Sequence, residues 1–99
     1  MIYKKAQPEI NYPDFLNLTR SLNAFKSLRG KQYDVVAIEG SQISFIRKSS
    51  GEKWKMDLKG VHKAYLELTD FKTVNFKTYV SRTHSPALGL LLHLGLLTN

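Results

Sequence analysis

Tyr33-Asp34-Val35-Val36-Ala37-Ile38-Glu39, then Gly40-Ser41, then Gln42-Ile43-Ser44-Phe45-Ile46-Arg47-Lys48 is a pair of β-rich runs flanking a glycine turn. Glycine takes positive φ without steric penalty, so a Gly-X pair between such runs predicts a tight hairpin. With Gly40 and Ser41 as the loop, Ile38 faces Ile43, Val36 faces Phe45 and Asp34 faces Arg47. A second turn at Ser50-Gly51 pairs Arg47 with Trp54, Phe45 with Met56 and Ile43 with Leu58. Both turns give one inward face of Val36, Ile38, Ile43, Phe45, Trp54, Met56 and Leu58, which a slip of one residue would reverse. Lys53-Trp54-Lys55-Met56-Asp57-Leu58 alternates as a half-buried strand should. The outward face is then Tyr33, Val35, Ala37, Ser44, Ile46, Lys48, Lys53, Lys55 and Asp57, a mixture of apolar and basic groups.

Upstream of this meander, Phe15, Leu18, Leu22 and Phe25 recur at helical spacing after Pro13-Asp14, with Leu28 and Gly30 at the end. This predicts a helix over 14–29, with Gly30 just past its last turn. Downstream, Val61, Ala64, Tyr65 and Leu68 form a stripe that predicts a short helix over 60–69. Residues 71–80 fit neither a strand nor a helix period well. Ser85-Pro86 signals a final helix, Ser85 as cap and Pro86 in the first turn, running to about Leu97. Seven of the chain's fourteen leucines fall within 88–97 and occupy nearly the whole circumference. A helix so apolar must be covered on most sides, by its own domain or by another subunit. The expected class is α+β: an N-terminal amphipathic helix on a three-stranded antiparallel meander, followed by a short helix and a leucine-rich C-terminal helix.

Ninety-nine residues suffice for one domain, here 1–99, with 1–12 as an extended arm. Cysteine is absent, which excludes disulfides, thiolate metal sites and cysteine nucleophiles. No apolar run follows Lys4 and Lys5, so no signal peptide is expected. The densest apolar stretch is about half the length a membrane span needs. A soluble, cytoplasmic protein with no membrane association is the expectation.

Net charge is +7. Residues 31–70 are nearly balanced, with seven basic and six acidic groups, whereas 71–99 carry Lys72, Lys77 and Arg82 and no acid. His62, His84 and His93 match no metal-ligand spacing, and no cofactor, metal or small-molecule ligand is indicated. His62 is expected in solvent on the polar side of its helix, and His93 packed among leucines. Asp34 opposite Arg47 reads as a cross-strand ion pair. The cluster Arg82-Thr83-His84-Ser85 is the most polar sequence beside an apolar helix. Arg82 and the amides of the helix start could hold an anion, while the simpler reading is a solvated loop in which Ser85 only caps the helix.

Three functions compete. The favoured one is a small, non-catalytic, self-associating module for nucleic acid or another polyanion. Its contacts would come from Lys48, Lys53, Lys55, Lys59, Lys63 and Arg82. Lys48 and Lys53, expected directly opposite across the second turn, would make the outer face the first site of phosphate contact. The second is a protein-interaction module, a homodimer through Tyr33, Val35, Ile46, Leu90, Leu91, Leu94 and Leu97. The third is a metal-independent RNase-like hydrolase built on His84, Arg82 and Tyr79.

Overall fold

The computed structural model describes residues 3–27 and 30–98. Both glycine turns form where the sequence places them, with Gly40 at φ 59° and Gly51 at φ 72°. They join strands β3 (Gln32–Glu39), β4 (Gln42–Arg47) and β5 (Lys53–Asp57) into an antiparallel meander. Around the first turn Ile38 faces Ile43 as expected, but the ladder then slips: Ala37 faces Ser44, Val35 faces Phe45 and Tyr33 faces Arg47. The extra residue is Val36, a β-bulge that turns outward and stands 49% exposed. A bulge inverts the alternation beyond it. Tyr33 and Val35, expected outside, therefore face inward. Asp34 faces Ile46 and makes no pair with Arg47.

Around the second turn, Ile43 faces Met56 and Phe45 faces Trp54, a shift of two residues from the expected pairing. The loop is four residues long, and the amides of Ser50 and Gly51 both donate to the Arg47 carbonyl. A shift of two preserves parity, so the inward face survives. It also places Ile46, not Lys48, opposite Lys53.

The first helix is shorter than its apolar spacing suggests. It runs as α1 (Tyr12–Arg20), capped by the Asn11 side chain on the Asp14 amide, with Pro13 in its first turn. The Thr19 hydroxyl folds back on the Leu16 carbonyl at 2.7 Å, and Ser21 closes the helix. Ala24–Lys26 then form β2, a fourth strand on the edge of the sheet, in the order β2-β3-β4-β5. Phe25 leaves the helix stripe for a ring cluster, with centroids 5.3 Å from Tyr33 and 5.2 Å from Phe45. Gly30, at φ 83°, closes the β2–β3 turn rather than a helix. Leu28, read as the last helix contact, lies outside the described residues.

Asp57 caps α2 (Leu58–Glu67) by accepting from the Lys59 amide, so Leu58 begins a helix rather than ending a strand. The ambiguous interval contains a 3₁₀ turn at Thr73–Phe76. The final helix, α3 (His84–His93), starts at Thr83. Ser85 is therefore inside its first turn and is not its cap. Beyond Gly95, at φ 75°, the chain turns into β6 (Leu97–Thr98), which pairs with β1 (Lys4–Lys5). The segment before α1 is thus fastened at both ends, with Ile10 buried.

One apolar cluster joins the inner sheet face to all three helices. Leu88, Leu90 and Leu91 of α3 are fully buried in it, each contributing roughly 1.5–3 kcal/mol. Gly89 makes this seating possible, because a Cβ there would run into the Lys26 carbonyl and Ser27 Cα of the adjoining chain. Tyr65 fixes the terminal ribbon: its hydroxyl donates to the Leu96 carbonyl at 2.9 Å and accepts from the Gln7 amide at 3.0 Å. Among the described residues no helix is long and apolar enough to cross a membrane.

Candidate anion-binding pocket

On β4, Arg47 shares the inward parity of Ile43 and Phe45, and the bulge puts Tyr33 rather than Asp34 opposite it. Opposite Tyr33, it lies on the inward side at the rim of the sheet, next to Trp54 on β5. The chain returns to this rim after the 3₁₀ turn, through a three-residue turn in which the Thr83 amide donates to the Ser81 carbonyl at 2.8 Å. Arg82 is the centre of that turn at φ 67°, the one non-glycine residue with positive φ among the described residues. A side chain held there costs about 1–2 kcal/mol. α3 begins immediately afterwards. Arg47, Trp54, Tyr33, Arg82, His84 and Ser85 thereby line a single hollow of about 340 Å³, closed further by Thr73 and Pro86.

The hollow contains two guanidinium groups and no carboxylate. Neither arginine has a salt-bridge partner among the described residues. Arg47 Nε and Trp54 Nε1 are buried without a hydrogen-bond partner, as is the hydroxyl of Thr83, the residue that begins α3 and is itself 1% exposed. Leaving a buried polar group unpaired costs roughly 1–3 kcal/mol. Arginine and indole nitrogens are donors only, so the missing partners must be acceptors. Both nitrogens are covered in the structure, and an incoming oxygen reaches them only as the two side chains turn toward it. The amides of His84 and Ser85 in the first turn of α3 lack intrahelical acceptors and add positive potential on the same side, Pro86 having no N–H to give. Tyr12 Oη is also buried and unpaired, but it sits by His62 and lines no part of the hollow.

Two larger hollows differ in chemistry. One, of about 480 Å³, places Lys59 and Lys63 beside Asp57, Glu67 and Tyr79. There the Tyr79 hydroxyl donates to Glu67 at 3.0 Å, a bond that raises the pKa of the phenol. The other, of about 470 Å³, is lined by Glu9 and Asp14 and by no lysine or arginine. In both, acids offset or replace the positive charge.

Of the six basic residues expected to bind a polyanion, only Arg82 reaches the arginine pocket. Lys53 and Lys55 are exposed on the outer sheet face, and Lys48 is in the β4–β5 loop. The residues expected to self-associate are largely consumed internally. Tyr33, Leu90, Leu91 and Leu97 are buried, Val35 and Leu94 pack against the core, and Ile46 is half-buried on the outer face. The apolar surplus that suggested a dimer is taken up by the chain's own core.

His62 is not in open solvent: its Nε2 lies 2.8 Å from the Ile10 carbonyl, and Tyr12 meets its ring edge-on. His93, expected among leucines, is exposed. No group of three or more His, Asp or Glu residues is placed to hold a metal ion among the described residues.

Arg47 is absent from the sequence-derived set of polyanion contacts. The signal that could have found Arg47 was its position at the inward end of a strand, where a charge needs a partner. No family model, curated protein or solved structure matches the chain, so the pocket is read from its geometry alone.

Proposed function

We propose that the protein is a small, basic, non-catalytic module that binds a polyanion, nucleic acid foremost, by seating a phosphate group between Arg47 and Arg82. The observation that carries this reading is the set of unpaired donor-only groups around one carboxylate-free hollow. Guanidinium forks match phosphate oxygens in pairs, and such charge-assisted bonds exceed neutral ones in strength. The hydrolase reading is weaker. Tyr79, one of its three residues, faces the other cleft, and His84 has neither a carboxylate nor a second imidazole beside it in the hollow. Self-association is not needed for the binding reading.

Fluorescence anisotropy with a labelled single-stranded oligonucleotide, across a salt series, tests the proposal. Binding should weaken steeply with salt. Arg47→Ala combined with Arg82→Gly should lower affinity at least about tenfold, from the loss of charge-assisted bonds worth roughly 1.5–3 kcal/mol each. If the wild-type protein binds neither DNA nor RNA at low salt, the reading fails.

A further inference from the structure

Resting on that reading, we infer that the pocket recognises a phosphomonoester, the phosphorylated end of a nucleic-acid strand, in preference to an internal phosphodiester. The first reason is charge. Two guanidiniums without a neutralising carboxylate present two positive charges to one hollow. A phosphomonoester carries about −1.5 to −2 near neutral pH and offers three strong acceptor oxygens. An internal diester carries a single negative charge and two free oxygens, which leaves part of this donor set unpaired.

The second reason is direction. The donors come from separate parts of the chain: Arg47 from the end of β4, Trp54 from β5, Arg82 from the strained turn, and the first-turn amides from α3. The inward face of the sheet contributes Tyr33 and Trp54 to the lining. Donors from four parts of the chain can engage three phosphate oxygens at once, as a terminal phosphate offers.

The third reason is size and lining. The hollow, about 340 Å³, exceeds what a bare phosphate fills and falls at the lower end of small-ligand sites, roughly 300–1,000 Å³. The surplus is lined by Trp54, Tyr33 and Pro86, surfaces against which a sugar and base can pack. The strain at Arg82 fits this assignment. A left-handed non-glycine residue is uncommon, and strain of this kind gathers at binding sites.

Trp54 is the only tryptophan of the chain and lines the hollow, so intrinsic fluorescence reports on occupancy. The purified full chain is titrated with one single-stranded 10-mer in three forms: 5′-phosphorylated, 3′-phosphorylated and unphosphorylated. A nucleoside 5′-monophosphate and inorganic phosphate complete the series. At least one phosphorylated end should bind about tenfold or more tightly than the unphosphorylated strand, with a change in Trp54 emission. Arg47→Lys, which keeps the charge and loses the fork, should bring that ratio toward one. If all three strands bind equally, the end-recognition inference is overturned while the polyanion reading stands. If no strand binds at low salt, both fall. If only the mononucleotide or inorganic phosphate binds, the monoester chemistry holds and its assignment to a nucleic-acid end is overturned.

Discussion

Lys53 and Lys55 stand on the outer face of β5, while Arg47 and Arg82 line a hollow on the other side of the same sheet. On the outer face, charges run in cross-strand rows. Lys53 shares a row with Ile46 and Asp34, Lys55 with Ser44 and Ala37, and Asp57 with Gln42 and Glu39. Acids lie in two of the three rows, and the lysines are exposed, where water and salt screen them within about 8–10 Å. The arginines are fewer and have no acid between them; Arg47 Nε is covered, while Arg82 is exposed. Counting positive charge favours the lysine face. Counting unsatisfied donors favours the pocket, where Arg47 Nε and Trp54 Nε1 lack partners.

The pocket depends on α3 lying close against β2, and the lysine face does not. Gly89→Ala should therefore have the largest effect, because the new methyl meets backbone atoms that cannot swing aside. Overpacking of this kind costs about 1–3 kcal/mol and sometimes more. In a domain this size, Tm should fall roughly 4–8 °C for each kcal/mol. Thermal unfolding followed by circular dichroism measures it. An unchanged Tm would mean that α3 does not rest on β2 as described, and the pocket would lose a wall.

The same contrast explains what could be read from the residues alone. Gly40 and Gly51 announced two turns, and the inward set Ile38, Ile43, Phe45, Trp54 and Met56 followed from parity. The bulge at Val36 left no local mark; it turns Tyr33 inward to a ring cluster with Phe25 and Phe45 that is assembled from three strands. Gly30 was ambiguous, since a helix end and a hairpin both call for positive φ. Ser85-Pro86 resembled a cap, yet Thr83 begins the helix. Arg82 could be suspected, but Arg47 is distant in sequence, and the two meet only because the chain after the 3₁₀ turn returns to the rim of the sheet. The α+β class, with antiparallel strands, was therefore legible, whereas the site depended on non-local geometry.

Tyr65 supplies the complementary case, an enclosed polar group whose partners are present. It is fully buried, and its hydroxyl both donates and accepts. Tyr65→Phe should destabilise the chain by about 1–2 kcal/mol at neutral pH. Burial raises the pKa of this phenol above its ordinary 10.0. The folded state therefore favours the neutral form. Its contribution is present below the unfolded value and is lost as pH rises through the folded one. Urea unfolding between pH 8 and 11 should show the gap between wild type and Tyr65→Phe narrowing above about pH 10. A gap that widens would contradict the sign.

Arg82→Gly tests whether strain and binding are linked at one residue. Glycine accepts φ 67° without penalty. Stability should rise by about 1 kcal/mol, read as a higher urea midpoint, while oligonucleotide affinity falls. A purely structural arginine would give a lower midpoint, and a lower midpoint would remove the reason for treating its strain as functional.

The smallest effect is expected at the lysines with which the charge argument began. If Lys48 and Lys53 faced each other across the turn, their repulsion would have marked the outer face as an anion seat. Lys53 instead faces Ile46, and the row continues to Asp34. That motive disappears, leaving Lys53 and Lys55 as solvated side chains on an edge strand, where lysine commonly discourages pairing with another chain. Lys53→Ala with Lys55→Ala should change stability by less than about 0.5 kcal/mol. Affinity for a short oligonucleotide should stay within a few-fold of wild type, and the salt slope should change by less than about one, the loss expected from a single phosphate contact. Arg47→Ala, by contrast, should show both the larger loss and the slope change. If the lysine pair moves the slope by two or more and Arg47→Ala leaves it untouched, the positions are reversed. The outer face would then be the binding surface, and the hollow a packing feature of α3.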